Sequence, residues 1–163
     1  PIVTLFGDGG VFWILVAVAL LFFAKYRKTG FSMGMALILG LLVCNIFLKP
    51  QVARIRPYNF QLQEYGREIT LLVKGLNDYS FPSGHTIASF EACTVLMLHD
   101  KRLGIPATVL AILIAFSRLY LYVHYPTDVL VSLVLGILFG FLGSLIVIAV
   151  YKKFVYKGKY IEE

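Results

Sequence analysis

The chain has 163 residues, 59% of them hydrophobic and 15% charged, with a net charge of +6. A soluble domain carries about 45–50% apolar and about 25% charged residues, and a chain this short has too little interior to hide the surplus from water. That excludes a soluble helical bundle. The positive charges sit in short clusters between apolar runs, which argues against a nucleic-acid surface and for membrane loops.

Five apolar runs follow in chain order, at residues 11–24, 31–48, 81–98, 103–123 and 129–151. A bilayer core takes about 20 helical residues at about 1.5 Å rise each. Backbone groups in hydrocarbon must bond internally, so runs of this length read as helices. The first run is short but extends through Gly9 or Tyr26. The expectation is an all-α integral membrane protein, a single domain over residues 1–163 with five visible transmembrane helices. Because the chain opens at Pro1, a sixth span or an interfacial segment upstream is an open expectation. Cys44 and Cys93 lie inside apolar runs and read as buried free thiols.

Lys25, Arg27 and Lys28, then Lys101 and Arg102, then Lys152, Lys153, Lys157 and Lys159 fall on one side of five alternating spans. The positive-inside rule makes that side cytoplasmic. The opposite side holds the Asp8-Gly9-Gly10 turn, an extracytoplasmic loop at about residues 50–80, and the 124–128 turn. That side also carries Lys49, Arg54, Arg56, Arg67 and Lys74, cations that need a reason of their own. In the loop, Tyr58, Phe60, Tyr65 and Tyr79 suit the headgroup layer. Residues 69–73 either lie on the membrane as a lid or form an ordinary interfacial loop.

Three clusters at the ends of these runs carry the chemistry. Lys49 and Arg56 share a helix face if the second helix continues, and would converge on one anion. Arg56 offers a planar fork matching phosphate oxygens and Lys49 a point charge, while Pro57 is expected to end the helix. A snorkelling pair at the membrane edge is the plainer reading. Next, Pro82-Ser83-Gly84-His85 opens the third helix, with Asp78 or Ser80 as cap and Pro82 in the first turn. Ser83 and Gly84 would present N–H groups at a positive helix end, where anions bind, and His85 brings a titratable proton. A simple capped turn would look the same. Last, Arg118 sits inside the fourth run, where an arginine usually faces a polar cavity, and His124 and Asp128 flank a Tyr-Pro-Thr turn. A carboxylate bonded to one imidazole nitrogen leaves the other as a directed lone pair, as a nucleophile requires. Otherwise Asp128 is a first-turn acid of the fifth helix.

Together the clusters resemble the type 2 phosphatidic acid phosphatase superfamily, marked by Lys-x6-Arg-Pro, Pro-Ser-Gly-His and Ser-Arg-x5-His-x3-Asp. Every position of that pattern is met, from Lys49, Arg56 and Pro57 through Ser83 and His85 to Ser117, Arg118, His124 and Asp128. The match spans residues 49–128, and the chain resembles in particular the short bacterial undecaprenyl-diphosphate phosphatase type members; the usual layout of the family has six spans. The resemblance implies that His124 attacks phosphorus to form a phosphohistidine, Asp128 orients it, and His85 protonates the leaving oxygen and then helps activate water. Lys49, Arg56, Arg118, Ser83 and the Gly84 backbone would stabilise the phosphoryl oxygens. The implied substrate is a lipid phosphate or diphosphate, polyprenyl diphosphate first, met outside the cytoplasm of a bacterial cell. Phosphatidylglycerophosphate or phosphatidate hydrolysis and phosphoryl transfer are the rivals, and a non-hydrolytic lipid-phosphate transporter is the rival of another class. No metal or other cofactor is expected, since no carboxylate cluster is visible and the cations supply the charge.

Glu91 lies inside the third run at the depth of Arg118, and the expectation is that it supports Arg118 by pairing or through water, with a protonated structural glutamate as the alternative. Asn45, one turn before Lys49, reads as a hydrogen-bonding partner across the bundle. His99 reads as a loop residue. Gly136 and Gly140 form a small-xxx-small pair that packs helices within one bundle, with no dimer required.

Overall fold

The structure, a computed structural model, describes residues 2–155, and every regular element among them is helical. Pro1, Lys157 and Lys159 lie outside the described residues. A single turn, α1 (Ile2–Leu5), leads through a 3-10 turn at Asp8–Gly10 into α2 (Val11–Leu21). Gly9 and Gly10 take φ of 56° and 70°, a conformation open to glycine without a Cβ penalty, and the chain turns there to enter α2.

A second 3-10 turn, Ala24–Tyr26, joins α2 to α3 (Arg27–Gly40), so Arg27 and Lys28 open a helix instead of lying in a loop. The helix continues as a π-helical stretch, Leu41–Leu48, and then α4 (Lys49–Val52). Ala53 leaves it in the left-handed conformation (φ 47°), Arg56 is extended, and α5 (Pro57–Tyr65) starts directly after it. The expected single helix carrying Lys49 and Arg56 is therefore broken between them. Pro57 begins a helix, where the missing N–H costs no bond. The expected 50–80 loop thus contains α5, and residues 66–83 have no regular structure.

Beyond it run α6 (Gly84–His99), α7 (Lys101–Tyr120) and α8 (Pro126–Val155). Ser83, in extended conformation, is the N-cap of α6, which leaves Asp78, Ser80 and Pro82 outside the helix. His99 is the last residue of α6, with Nδ1 3.0 Å from the Val95 carbonyl, so it is helical and not a loop residue. Asp100 caps α7 by accepting from the Arg102 N–H, and it also accepts from the Tyr26 hydroxyl at 3.0 Å.

The core is apolar, built on Trp13, Met33, Phe90, Val95 and Ile114, yet polar groups are buried with it and the exterior is apolar too. Ser32, Ser89, Ser132, Glu91 and Arg118 are buried, while Ile38, Leu42, Ile112, Phe116, Leu130 and Val134 are exposed. Three helical runs are long and apolar enough to cross a membrane: Ala24–Tyr65, Lys101–Tyr120 and Pro126–Phe154. The other two expected spans are shorter, with 11 residues in α2 and 16 in α6. The physical reason for α6 is its position. It packs against α3, α7 and α8, so its buried face mixes Thr86, Ser89 and Glu91 with Ile87, Phe90, Val95 and Leu96 and little of it is left for lipid.

Glycine sets how close α8 comes. A Cβ on Gly136 would stand 2.8 Å from the Ile87 carbonyl, and one on Gly140 would stand 2.9 Å from that of Glu91. The small-xxx-small pair therefore seats α8 on α6 inside one chain. Cys44 and Cys93 are buried free thiols.

Candidate active site

Arg56 and Lys49 meet by a chain reversal and not along one helix face. The break at Ala53 turns the Arg56 guanidinium into the bundle, where it is 2% exposed. Its Nε donates to the Asp78 carbonyl (2.9 Å), Nη1 to the Val123 carbonyl (2.8 Å), and Nη2 to Asp78 Oδ1 (2.5 Å) and the Tyr79 carbonyl (3.2 Å). Lys49 Nζ reaches the other Asp78 oxygen at 2.5 Å. Burial alone would push the Asp78 carboxyl up, but the hydrogen bonds and charges of Lys49 and Arg56 outweigh it and hold it at about 2.

His124 lies in the turn between α7 and α8 and is 4% exposed. Its Nε2 stands 3.3 Å from Arg56 Nη1 and its Nδ1 3.6 Å from Asp128 Oδ2. A guanidinium has no acceptor, so Nε2 turns a lone pair toward Arg56 and the ring proton belongs on Nδ1, facing the carboxylate. Burial pushes His124 down to about 4, against the pull of Asp128, and the positive charges of Arg56 and Arg118 add to the fall.

Asp128 is fully buried and held on every side. Ser80 Oγ donates to Oδ2 at 2.5 Å, the Tyr125 N–H to the same oxygen at 2.9 Å, and Arg54 Nη1 to Oδ1 at 2.7 Å. Arg54 also donates to Thr127 Oγ1 at 2.7 Å and stacks 3.8 Å from the centre of the Tyr125 ring. The Ser80 N–H donates to the Arg54 carbonyl at 2.8 Å, which ties the irregular loop to the same anchor.

A cavity of about 610 Å³ brings Lys49, Arg56, Gly84, His85, Arg118 and His124 onto one wall system. Arg118 is 2% exposed. Its Nη1 donates to Thr4 of α1, and its Nε has no partner among the described residues. His85 Nε2 lies 2.7 Å from Asp8 Oδ1. Ser83 is fully buried off this wall: its N–H donates to Ser132 Oγ at 2.8 Å and its Oγ accepts from Thr86 at 3.0 Å. The Gly84 backbone is left as the part of this helix start that lines the cavity.

Glu91 does not pair with Arg118. Its carboxyl points at α3 beside Gly40, where a Cβ would collide with it, and Oε1 has no partner among the described residues. The reason is the small footprint of Gly40, which opens a slot for the carboxyl, while Arg118 is claimed by Thr4. Asn45 rides on the π-helical stretch with its amide against Gly84 and also lines the cavity. Such stretches often mark functional sites because the widened turn re-aims a side chain. No three His, Cys, Asp or Glu side chains among the described residues are grouped to hold a metal ion.

Sequence reasoning did not place Thr4, Asp8, Arg54, Asp78 and Ser80 in this site. The available signal was sparse acidity: in a chain with 9 acidic residues, Asp8, Asp78 and Asp128 all fall at the ends of apolar runs away from the basic loops.

The family model of the PAP2 superfamily matches residues 29–153. The chain is 35% identical over 132 residues to an undecaprenyl-diphosphatase of Sulfolobus acidocaldarius, covering 80% of this chain and 61% of that one. It is 31% identical over 129 residues to the undecaprenyl-diphosphatase BcrC of Bacillus subtilis, covering 79% and 63%. The chain thus spans about three-fifths of the length of these relatives. Its fold is similar to the crystal structure of a transmembrane PAP2 type phosphatidylglycerolphosphate phosphatase from Bacillus subtilis, with a TM-score of 0.67 at 27% identity, covering 93% of this chain and 74% of that one.

Proposed function

The chain belongs to the PAP2 superfamily and is an integral membrane protein, and from that premise we propose that it hydrolyses a lipid phosphate or diphosphate, polyprenyl diphosphate first, through a phosphohistidine. The observation that carries this reading is the lone pair of His124 Nε2, presented beside Arg56 in a cavity shared with Lys49, Arg118 and His85. A binding protein needs the cations but has no use for a neutral, carboxylate-backed imidazole, which argues against a transporter. In the first half-reaction Nε2 attacks phosphorus, the bond to the leaving oxygen breaks, and His85 protonates that oxygen. In the second, water loses a proton to His85 and attacks the phosphohistidine, releasing phosphate. Arg118, Lys49 and the Gly84 N–H hold the phosphoryl oxygens, and Arg56, whose five N–H donors are engaged by Asp78, Tyr79, Val123 and His124, turns a donor to the anion as His124 and the Asp78 carboxylate let go. Ser83 contributes as the N-cap that shapes the turn.

Residues gathered at the far end of the bundle support an extracytoplasmic site. Lys25 and Tyr26 meet Asp100 there, and Lys28 lies over the Tyr151 ring. On this reading α2 and α6 are shorter spans in a thinned or tilted arrangement, and the positive-inside rule favours that basic end in the cytoplasm of a bacterial cell. Apolar Ile14, Leu37 and Leu41 continue the cavity wall, which suits a prenyl chain. A glycerolipid phosphate is the second reading, favoured by Glu91 on the cavity wall, which in its protonated form donates to an ester carbonyl that a prenyl chain lacks. The test is kcat/KM for phosphate release from polyprenyl diphosphate and from glycerolipid phosphates in matched micelles. Preference for the prenyl substrate is expected, preference for the glycerolipid selects the second reading, and release from neither overturns both.

Arg54 supplies a pH prediction. His124 sits at about 4, so the nucleophile is unprotonated at neutral pH and kcat/KM falls as pH drops through that value. Arg54→Met removes the cation on Asp128 Oδ1. The carboxylate then bears more strongly on His124 and raises its pKa, so the acid limb moves to higher pH. Activity at neutral pH falls roughly ten- to hundredfold, the worth of one charge-assisted hydrogen bond at the barrier. A pH profile with an unmoved acid limb would show that Arg54 acts elsewhere.

A further inference from the structure

We propose that Asp8 is a positioning residue for His85, giving the leaving-group acid a carboxylate partner of its own; this rests on the phosphatase reading above. Asp8 lies outside the family match, which begins at residue 29, and outside the three clusters. Its Oδ1 stands 2.7 Å from His85 Nε2, and a carboxylate accepts, so Nε2 carries a proton. That leaves Nδ1 as the nitrogen that exchanges a proton with the substrate. His85 starts as an imidazolium with a proton on each nitrogen, gives the Nδ1 proton to the leaving oxygen, which has taken the electron pair of the broken P–O bond, and is left neutral. In the second half-reaction Nδ1 takes a proton from the attacking water. Asp8 holds the Nε2 proton through both steps and transfers none.

The placement of Asp8 is fixed by packing that has nothing to do with its charge. Trp13 of α2 is 2% exposed, and its Nε1 donates to Ser89 Oγ at 3.0 Å. Ser89 Oγ in turn donates to the His85 carbonyl at 2.7 Å. This relay sets the register of α2 on the first turns of α6. The left-handed glycines at 9 and 10 then bring the preceding residue back over the ring. Gly7 has no Cβ because His85 Cδ2 would be 2.6 Å from it. The charged groups around His85 are Asp8 from the segment before α2, Arg118 from α7 and His124 from the α7–α8 turn, with Glu91 further along α6 itself. Asp8 is the carboxylate in contact with the ring, against two cationic or basic neighbours on the other side. Its side chain is 58% exposed, so the pair adds little to stability and Asp8→Asn is expected to fold.

The test compares Asp8→Asn, Asp8→Glu and the parent on dodecyl phosphate and para-nitrophenyl phosphate in detergent micelles. The parameter kcat/KM reports events up to departure of the leaving group. An alkoxide needs a proton to depart and a nitrophenolate does not. The expected result for Asp8→Asn is a loss of about tenfold or more on the alkyl ester and less than about threefold on the aryl ester. His85→Ala shows the same selectivity more strongly, and Asp8→Glu recovers part of the alkyl activity. Vanadate inhibition retained by Asp8→Asn reports an assembled site. Equal losses on both esters, no loss on either, or loss of vanadate inhibition would each overturn the assignment of Asp8 while leaving the phosphatase reading in place. A parent that hydrolyses neither ester nor any lipid phosphate would overturn that reading first, and this one with it.

Discussion

Replacing His124 by alanine lowers phosphate release by roughly four orders of magnitude or more, while lipid phosphate still binds. The split follows from the site. Lys49, Arg118 and the Gly84 backbone line the cavity independently of the ring, so the anion seat survives. The lone pair 3.3 Å from Arg56 does not. Stability is expected to change little, because the ring already leaves Nδ1 without a hydrogen bond and Arg56 keeps its carbonyl partners. Rapid quenching with radiolabelled substrate checks the cause. The parent should trap label on protein in an acid-labile form, and His124→Ala should trap none. Turnover by His124→Ala equal to that of the parent would remove it as the nucleophile.

Arg56→Lys is the second large effect. Lysine keeps the charge, but one ammonium on a flexible stem cannot replace a fork that reaches the carbonyls of Asp78, Tyr79 and Val123, Asp78 Oδ1 and His124 together. The expected loss is about 10²–10³ in kcat, as for removal of one oxyanion donor. Thermal stability falls as well, by about 2–3 kcal/mol, less than the full cost of breaking a buried pair because Asp78 is half exposed and can turn to water. The measurement is kcat and KM beside a melting curve in the same detergent. A variant within about threefold of the parent would mean that positive charge alone suffices at this position.

The cluster residues were legible because each sits at a turn that interrupts an apolar run, where a charged or imidazole side chain is conspicuous. Lys49, Arg56, Gly84, His85, Arg118 and His124 reach one cavity, as their residue types suggested. The route was not legible. Periodicity put Lys49 and Arg56 on one helix face, whereas the left-handed Ala53 folds Arg56 inward instead. Ser83 had the right type for a phosphate contact, yet Ser132, far along the chain, claims its N–H. Glu91 makes no direct pair with Arg118: depth along two helices was readable, but not the slot that Gly40 opens on a third.

Composition alone determined that this chain lives in lipid, since so few charges and so many apolar side chains in a short chain leave no water-soluble way to fold. Local spacing picked out residues that reach one cavity, because each motif is a short stretch of chain at a turn. Only the tertiary structure decided who stands behind them. Asp8 backs His85 from a separate segment, Arg54 and Ser80 hold Asp128, and Asp78 bridges Lys49 and Arg56. Those contacts join residues many positions apart, and their geometry is set by helix register and close glycine packing, which no single stretch of sequence encodes by itself.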